Sequence, residues 1–181
     1  MRITKHLKKI QQIAMIEILD KKHQKEHFDC GKELLTNYLK FQASQDIKRK
    51  LAVCFVFSEN ETNRINGYYT LSNASVGLNS FPEYILNKLP KSNTSIPTTL
   101  LGRLAIDKNC QGKGIGKILL IDALKRSYEI SHKVGYFAVV VDPIDKEAED
   151  FYKKFDFIKL PDSQKMFIAI KTLEILFKDK T

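Results

Sequence analysis

The stretch from Leu100 to Lys117, which reads LLGRLAIDKNCQGKGIGK, constrains the fold more than any other part of the chain. An apolar run typical of a β-strand, Leu100 to Ile106, precedes the turn residues Asp107 to Asn109. Glycine then occupies positions 112, 114 and 116, and apolar residues follow at helical spacing. The pattern predicts a strand, a glycine loop and a helix in direct succession.

A glycine loop at the start of a helix is suited to binding an anion. The first N–H groups of a helix have no intrahelical partner, and the helix dipole places partial positive charge at the same end. Glycine leaves room for a phosphate or another backbone to approach. Because Lys113 and Lys117 add positive charge, we predict a phosphate site at residues 111–117.

The spacing of the glycines excludes two common nucleotide loops. A G-x-G-x-x-G fingerprint starting at Gly112 would need glycine where the chain has Lys117, and a Walker loop would need Ser or Thr where it has Ile118. Residues 111–116, Q-G-K-G-I-G, instead closely resemble the Q/R-x-x-G-x-G/A pyrophosphate loop of the GCN5-related N-acetyltransferase (GNAT) superfamily. A loop of this kind in isolation can also mark tight packing of a helix on a strand.

The remaining sequence predicts a complete domain around this loop. Strands are predicted at residues 14–19, 52–57, 65–72, 136–141, 157–160 and 166–170, and helices at 32–50, 146–155 and 173–177. The run 136–141 shows no polar alternation, as in a strand buried on both faces and parallel to its neighbour. The excursion at 80–97 is either a substrate-side loop or a variable connection.

These elements fit the GNAT fold over nearly the whole chain. We therefore predict one domain, 1–181, of the α/β (α+β) class, with a mixed, mostly antiparallel sheet, a central parallel βαβ unit and flanking helices.

Side-chain patterns add three expectations about packing. The helix at 32–50 has an apolar stripe expected in the core, formed by Leu34, Leu35, Tyr38, Leu39 and Ala43. Tyr68 and Tyr69 point to opposite faces of their strand, so we expect one in the core and the other free to line a cleft. The apolar tail at 173–177 suggests either internal packing or a dimer contact.

The chain is basic, with 30 Lys and Arg against 21 Asp and Glu, a net charge of +9. Clusters at residues 21–25 and 48–50 contribute much of the excess. Any single cluster can be an ordinary solvated face, but together they favour a polyanionic partner such as RNA.

Composition and termini suggest a cytoplasmic protein. The three cysteines are odd in number and far apart, as expected of reduced thiols, and Cys54 is expected in the core. The basic N-terminal residues Arg2, Lys5, Lys8 and Lys9 are not followed by the apolar core of a secretory signal, and no apolar run is long enough for a membrane span. His23 and His27 have i, i+4 spacing without a surrounding carboxylate frame, so no metal is expected.

Four blocks narrow the resemblance within the superfamily. Residues 28–31 (FDCG), 67–72 (GYYTLS), 101–107 (LGRLAID) and 148–155 (AEDFYKKF) are similar, in this order, to the acetyltransferase toxins of type II toxin–antitoxin systems. The resemblance implies acetyl-CoA as donor and the α-amino group of an aminoacyl-tRNA as acceptor, so that acetylation blocks translation. It also implies a homodimer and a ribbon-helix-helix antitoxin.

The resemblance implies roles for individual residues. The pyrophosphate would be held by Gln111, Gly112, Lys113, Gly114, Ile115, Gly116 and Lys117, and the pantetheine arm would pair with the backbone at Leu104, Ala105 and Ile106. Tyr152 matches the catalytic tyrosine, whose phenol can protonate the departing thiolate, although its helix pattern also suits a core aromatic. Arg103 either meets the acceptor end of tRNA or forms a structural ion pair. Asp156 replaces a family glycine, a position that Asp tolerates if the backbone is left-handed.

Two alternative functions remain open at this point. One is an acetyltransferase for protein N-termini or small amines. The other, of a different class, is an acetyl-CoA-responsive RNA-binding protein with little turnover.

Overall fold

The computed structural model describes residues 14–177, with side chains from residue 16 onward. The basic residues Arg2 to Lys9, including His6, lie outside the described residues. The chain divides into two compact units. Unit 1 comprises residues up to 71 together with 103–123, and unit 2 comprises 72–102 together with the residues from 124 onward.

The strands form a seven-stranded mixed sheet of order β1-β2-β3-β4-β5-β7-β6. The pairs β1–β2, β2–β3, β5–β7 and β6–β7 are antiparallel, whereas Thr98 to Leu101 of β4 pair in parallel with Ala138 to Val141 of β5. The predicted mostly antiparallel sheet with a central parallel pair is therefore confirmed. The strands are β1 Ala14–Ile18, β2 Val53–Glu59, β3 Ile65–Gly77, β4 Ser95–Ile106, β5 Ala138–Val141, β6 Ile158–Lys159 and β7 Met166–Ala169.

The predicted helices are present, with one irregularity. The predicted helix at 32–50 is a continuous helical segment in which a π-helical turn, Tyr38–Gln42, separates two α-helical pieces. We call residues 33–48 the first helical segment. The α-helices are α1 Glu33–Asn37, α2 Ala43–Lys48, α3 Glu83–Leu86, α4 Ile115–Ser131, α5 Lys146–Lys153 and α6 Ile170–Phe177.

The first helical segment closes the core of unit 1. Its residues Leu35, Tyr38, Leu39 and Ala43 are buried in a cluster with Phe28, Cys54, Val56, Tyr68 and others. The prediction that Leu34 also lies in this core was wrong, because its side chain is 72% exposed. Successive helical residues point about 100° apart, and Leu35 takes the inward direction. Cys54 is fully buried, as expected.

The two tyrosines of β3 contact different helices of unit 1. The Tyr68 hydroxyl donates to the Leu35 carbonyl at 2.7 Å, and the Tyr69 hydroxyl donates to the Asp122 carboxylate of α4 at 2.5 Å. One of the two tyrosines was expected to line a cleft. Neither does, because both residues are 0% exposed. A helix covers the strand on each face at this point, so both rings are enclosed.

Unit 2 has a separate apolar core. Val76, Phe81 and Ile96 pack there with Val140 of β5 and Phe167 of β7. Asp156, after α5, has φ +63°, so the condition under which Asp tolerates this position, a left-handed backbone, is met. In α6, Leu173 is buried and Ile175 and Leu176 are exposed.

Within the residues from 14 to 177, no helix is both long and apolar enough to cross a bilayer. Over the same span, no cluster of His, Cys, Asp and Glu is arranged to hold a metal ion.

A network of ion pairs anchors α5 to the edge of the sheet. The Glu149 carboxylate lies 2.5 Å from the Lys153 Nζ on the same helix and 3.3 Å from the Lys159 Nζ on β6. Hydrogen bonds from Lys153 and then Lys159 lower the pKa of Glu149 to about 2. The negative form of Glu149 is therefore the one that the fold favours.

This predicts an acid-dependent contribution to stability. The folded-state pKa of Glu149 lies below its unfolded value, so the contribution is complete above about pH 4.5 and disappears as the pH falls toward about 2. Thermal melting of Glu149→Gln should show a lower Tm than the unchanged protein near neutral pH and converge with it in acid. A Tm difference that persists unchanged down to pH 2 would contradict this role for the charge.

Candidate anion loop and acetyl-transfer residues

The turn between β4 and α4 is built on one buried carboxylate. Asp107 is only 1% exposed, and its Oδ1 accepts the N–H of Asn109 at 3.0 Å while its Oδ2 accepts the N–H of Asp29 at 3.1 Å. The same side chain therefore fixes the short 3-10 turn Lys108–Cys110 and joins it to the block at residues 28–31. Buried carboxylates are stable when they accept such backbone bonds.

Gln111 provides a second tie between the same elements. Its Nε2 donates to the Cys30 carbonyl and to the Ile106 carbonyl, each at 3.1 Å. Close by, the Lys108 Nζ lies 2.6 Å from the Asp29 carboxylate. This lysine, together with the N–H of Gly31, lowers the pKa of Asp29. Hydrogen bonds and an ion pair therefore connect the start of the glycine loop to the block at residues 28–31.

The loop itself directs a row of backbone N–H groups outward. Gly112 and Gly114 have φ values of +75° and +82°, a conformation that favours glycine. In the part of the chain that the structure describes, the N–H groups of 112, 113 and 114 donate to no acceptor, and those of 115–117 are at the unpaired start of α4. The Lys113 ammonium caps the Asn109 carbonyl at 2.9 Å, and Lys117 is exposed. All residues of the predicted anion site therefore lie within unit 1.

The adjacent end of β4 has an uncovered backbone edge. β5 ends at Val141, opposite Leu101, whereas β4 continues to Ile106. The N–H of Asp107 bonds to Asn66 on β3, so by strand alternation Leu104 and Ile106 direct their backbone groups to the other edge. Ala105 lies between them with its side chain in the core. The Ile106 carbonyl on this edge already accepts the Gln111 Nε2, so pairing with the arm stays a prediction for Leu104 and for the N–H of Ile106.

Arg103 is held by an aromatic ring. Its guanidinium carbon lies 3.5 Å from the centroid of the Tyr38 ring, a cation–π contact. The Tyr38 hydroxyl donates to Asp46 at 2.9 Å, and burial together with this bond raises the pKa of Tyr38. Among the described residues no carboxylate pairs with Arg103, so the structural ion pair considered from sequence is not formed; stacking on Tyr38 takes its place.

Tyr152 lies in unit 2, on the inner side of α5, and is buried. Its ring packs against Phe151 at 5.4 Å and Phe157 at 5.2 Å. Burial raises the pKa of the Tyr152 phenol, so the phenol remains protonated across the physiological range. Among residues 14–177 its hydroxyl has no hydrogen-bond partner. The hydroxyl oxygen is nevertheless not completely buried. Both the core-aromatic interpretation and the catalytic one are compatible with this placement.

Other titratable groups do not extend the site. Burial raises the pKa of the Cys110 thiol, which is the opposite of activation. His23 is buried and engaged, with its Nε2 3.2 Å from the Glu17 carboxylate and its Nδ1 accepting the N–H of Asp20. The sequence analysis did not identify the supporting roles of Asp107 and Asp29, or that of the Gln111 side chain. The signal available was an Asp two residues before Asn at the end of a strand, which is typical of an Asx turn.

The arrangement in unit 1 matches the requirements of a pyrophosphate attached to an extended arm. N–H groups without an acceptor in the described chain follow one another at 112–114, and the end of β4 lies directly upstream of them in the chain. A CoA thioester has both parts, since a pyrophosphate adjoins an amide-containing arm that can add to a strand edge.

Comparison with known proteins identifies the class. Residues 50–159 match the acetyltransferase (GNAT) domain family, so the chain belongs to the GNAT family and is an acetyltransferase. A curated relative, the tRNA-acetylating toxin of Mycobacterium tuberculosis, is 31% identical over 153 residues, 84% of this chain and 89% of the relative.

Solved structures agree with this class. A tyrosine-to-phenylalanine mutant of KacT superposes with a TM-score of 0.87 at 30% identity, covering 92% of this chain and 100% of the other. AtaT complexed with acetyl-methionyl-tRNAfMet has a TM-score of 0.84 at 30% identity, with coverages of 91% and 99%. A mutant AtaT bound to acetyl-CoA and the C-terminus of the antitoxin AtaR has a TM-score of 0.77 at 29% identity, with coverages of 91% and 98%.

The loop geometry predicts the effect of adding a single methyl group. In Gly114→Ala the new Cβ meets nothing within 4 Å, so the only cost is the positive φ. That cost is about 1–2 kcal/mol, and a loop that relaxes to avoid it no longer directs its N–H groups together. We expect the Kd for acetyl-CoA, measured by calorimetry, to rise by roughly five- to thirtyfold.

Gly135→Ala is the matched control. Its Cβ also meets open space, but the backbone φ there is not positive. Acetyl-CoA affinity should be unchanged in this variant. Equal affinities for all three proteins would contradict the assignment of the loop.

Proposed function

We propose that this protein is a toxin that transfers the acetyl group of acetyl-CoA to the α-amino group of an aminoacyl-tRNA and so blocks translation. The observation that carries the proposal is the loop at 111–117, whose unpaired backbone N–H groups fit a pyrophosphate. Support for the acceptor comes from relatives: one is a tRNA-acetylating toxin, and AtaT was solved with acetyl-methionyl-tRNAfMet.

The glycine loop binds the donor, acetyl-CoA, and takes no part in the bond changes of the reaction. The thioester of acetyl-CoA supplies the activated acetyl group. The N–H groups of Gly112, Gly114 and Gly116 bind the pyrophosphate, with Lys113 and Lys117 adding charge, while Leu104 and Ile106 orient the arm through their backbone. The bound mutant AtaT supports acetyl-CoA as the co-substrate. Binding of the pyrophosphate and of the arm positions the acetyl group for attack by the amine.

Tyr152 provides the proton that the reaction needs. When an amine attacks the thioester, the C–N bond forms, the C–S bond breaks, and the sulfur leaves as a thiolate unless it is protonated. The raised pKa keeps the Tyr152 phenol in the acid form at the start of each turnover. Its hydroxyl, which has no partner among the described residues, is free to donate to the sulfur. This is general acid catalysis.

A dedicated base is not required for this reaction. An α-amino group has a pKa of about 7.7–8.0, so an appreciable fraction is neutral at cytoplasmic pH. The neutral amine can attack directly and lose its proton to water. Arg103, stacked on Tyr38 without a carboxylate partner in the described chain, has donors to offer to the phosphates of the acceptor end.

The proposal extends to assembly, location and control of the protein. We propose a single functional domain that acts in the cytoplasm as a homodimer and is neutralised by a ribbon-helix-helix antitoxin. The complex of AtaT with the C-terminus of AtaR supports an antitoxin partner. The exposed Ile175 and Leu176 of α6 are suitable for a contact between copies.

The test uses radiolabelled acetyl-CoA with total tRNA, either aminoacylated or stripped of amino acids. Label should enter only the charged pool, and in Tyr152→Phe the transfer rate should fall by roughly 10²–10⁴-fold. Acetyl-CoA affinity should be unchanged, since the variant loses only a hydroxyl. Expression of the unchanged protein, but not of Tyr152→Phe, should arrest growth.

Two results would contradict the proposal. Transfer to peptides or small amines in preference to charged tRNA would indicate the alternative acceptor class. Acetyl-CoA binding without release of CoA, in the presence of every acceptor, would indicate a binding protein with little turnover.

A further inference from the structure

The outward face of the first helical segment carries two large apolar side chains in solvent. Leu34 is 72% exposed and Phe41 is 69% exposed, among the highest values for large apolar residues in unit 1. The exposed positions of residues 33–48 are 33, 34, 37, 41, 42, 44, 45 and 48, so the segment meets solvent on both sides of the π-helical turn. We call this exposed surface the Leu34–Phe41 face.

The backbone under Phe41 is irregular. Phe41 lies in the π-helical turn Tyr38–Gln42, and π turns frequently occur at functional positions. The same turn starts with Tyr38, whose ring holds Arg103. The Gln45 Nε2 donates to the Phe41 carbonyl at 3.0 Å, which anchors the backbone of the turn. This hydrogen bond holds the backbone that carries the Phe41 ring.

The segment also connects directly to the anion loop. The block just before α1 is tied to the loop by the Gln111–Cys30 and Asp29–Asp107 bonds. Farther along, Arg103 at the end of β4 contacts Tyr38. The segment and the residues just before it therefore contact both Arg103 and the anion loop, within unit 1.

The charge surrounding the face suits an anionic partner. Residues 32–50 contain five basic side chains, Lys32, Lys40, Lys48, Arg49 and Lys50, and two acidic ones. One of the acidic pair, Asp46, is buried and accepts the Tyr38 hydroxyl. Lys25 adds a further charge, with its Nζ 3.0 Å from the Ser44 hydroxyl of α2. A second copy of this chain would bring the same positive charge against it.

We propose that the Leu34–Phe41 face binds the unpaired 3′ end of the aminoacyl-tRNA, with a base stacked on Phe41, a base or ribose against Leu34, and the surrounding basic side chains on the phosphates. This inference rests on the proposed function and adds a subsite for the substrate. Unpaired bases expose their flat faces, whereas duplex RNA hides them, so an aromatic platform in a basic surface selects single strands.

The composition of the chain allows a direct test. The protein contains no tryptophan, so Phe41→Trp introduces a single reporter whose ring also stacks. The probes are a short single-stranded RNA ending in CCA, deacylated tRNA and a blunt RNA duplex. The fluorescence of Phe41→Trp should be quenched by the first two and much less by the duplex. Quenching should weaken as salt is raised.

Ile18→Trp is the matched control. Ile18 is 51% exposed on β1 in the same unit, away from the first helical segment in the chain. Its fluorescence should not respond to the RNA probes. Equal quenching of both variants, or quenching of Phe41→Trp by the duplex alone, overturns the proposal.

Kinetics provide the second readout. In Phe41→Ala, the KM for aminoacyl-tRNA should rise by roughly five- to a hundredfold, the cost of losing one base–aromatic stack. Phe41→Trp should retain the KM of the unchanged protein, and Phe41→Leu, which keeps apolar area without a ring, should resemble Phe41→Ala. The Kd for acetyl-CoA and the kcat should stay within twofold, because the substitution alters neither the glycine loop nor the proposed acid.

The outcomes separate this inference from the proposed function. If the unchanged protein does not acetylate charged tRNA, the proposed function fails. If it does, and the KM of Phe41→Ala is unchanged, only the subsite fails. In that case a shift in mass by light scattering would assign the face to a second copy of the chain, and loss of antitoxin binding would assign it to the antitoxin.

Discussion

The buried carboxylate of Asp107 is the constraint on which the arrangement of unit 1 depends. It sits where β4 ends and accepts backbone N–H groups from the turn that follows and from the distant residue Asp29. A buried anion with these bonds satisfied is stable, but it is costly if one is lost. The glycine loop, the start of α4 and the block before the first helical segment therefore hold their positions together.

This shared support has a functional consequence. Backbone N–H groups bind an anion strongly only when they are already aligned, because ordering them at the moment of binding would consume the gain. The Gln111 side chain contributes to this support through its bonds to the Cys30 and Ile106 carbonyls. In the proposed reaction Tyr152, which packs against Phe151 and Phe157 in unit 2, acts in its protonated form, and burial raises the pKa of the phenol further.

Much of the fold could be predicted from the sequence because its periodicities are strong. The apolar run at 136–141 identified the parallel strand, and the left-handed backbone at Asp156 meets the condition under which Asp tolerates that position. The direction in which each side chain points was harder to predict from the sequence. Leu34 and Leu35 are equivalent in a hydrophobicity pattern, and only the π turn and packing around Tyr38 decide which is buried. The stacking of Arg103 on Tyr38 joins residues far apart in the chain, so no local pattern could reveal it.

Binding of the donor by backbone N–H groups of the glycine loop is the step on which the proposed reaction depends. The most direct measurement of it is an amide ¹H–¹⁵N spectrum of the labelled protein during titration with acetyl-CoA. The largest shifts are expected at the amides of Gly112 through Lys117, with Gly77 and Gly135 unmoved. Saturable binding that leaves the amides of 112–117 unshifted would contradict it.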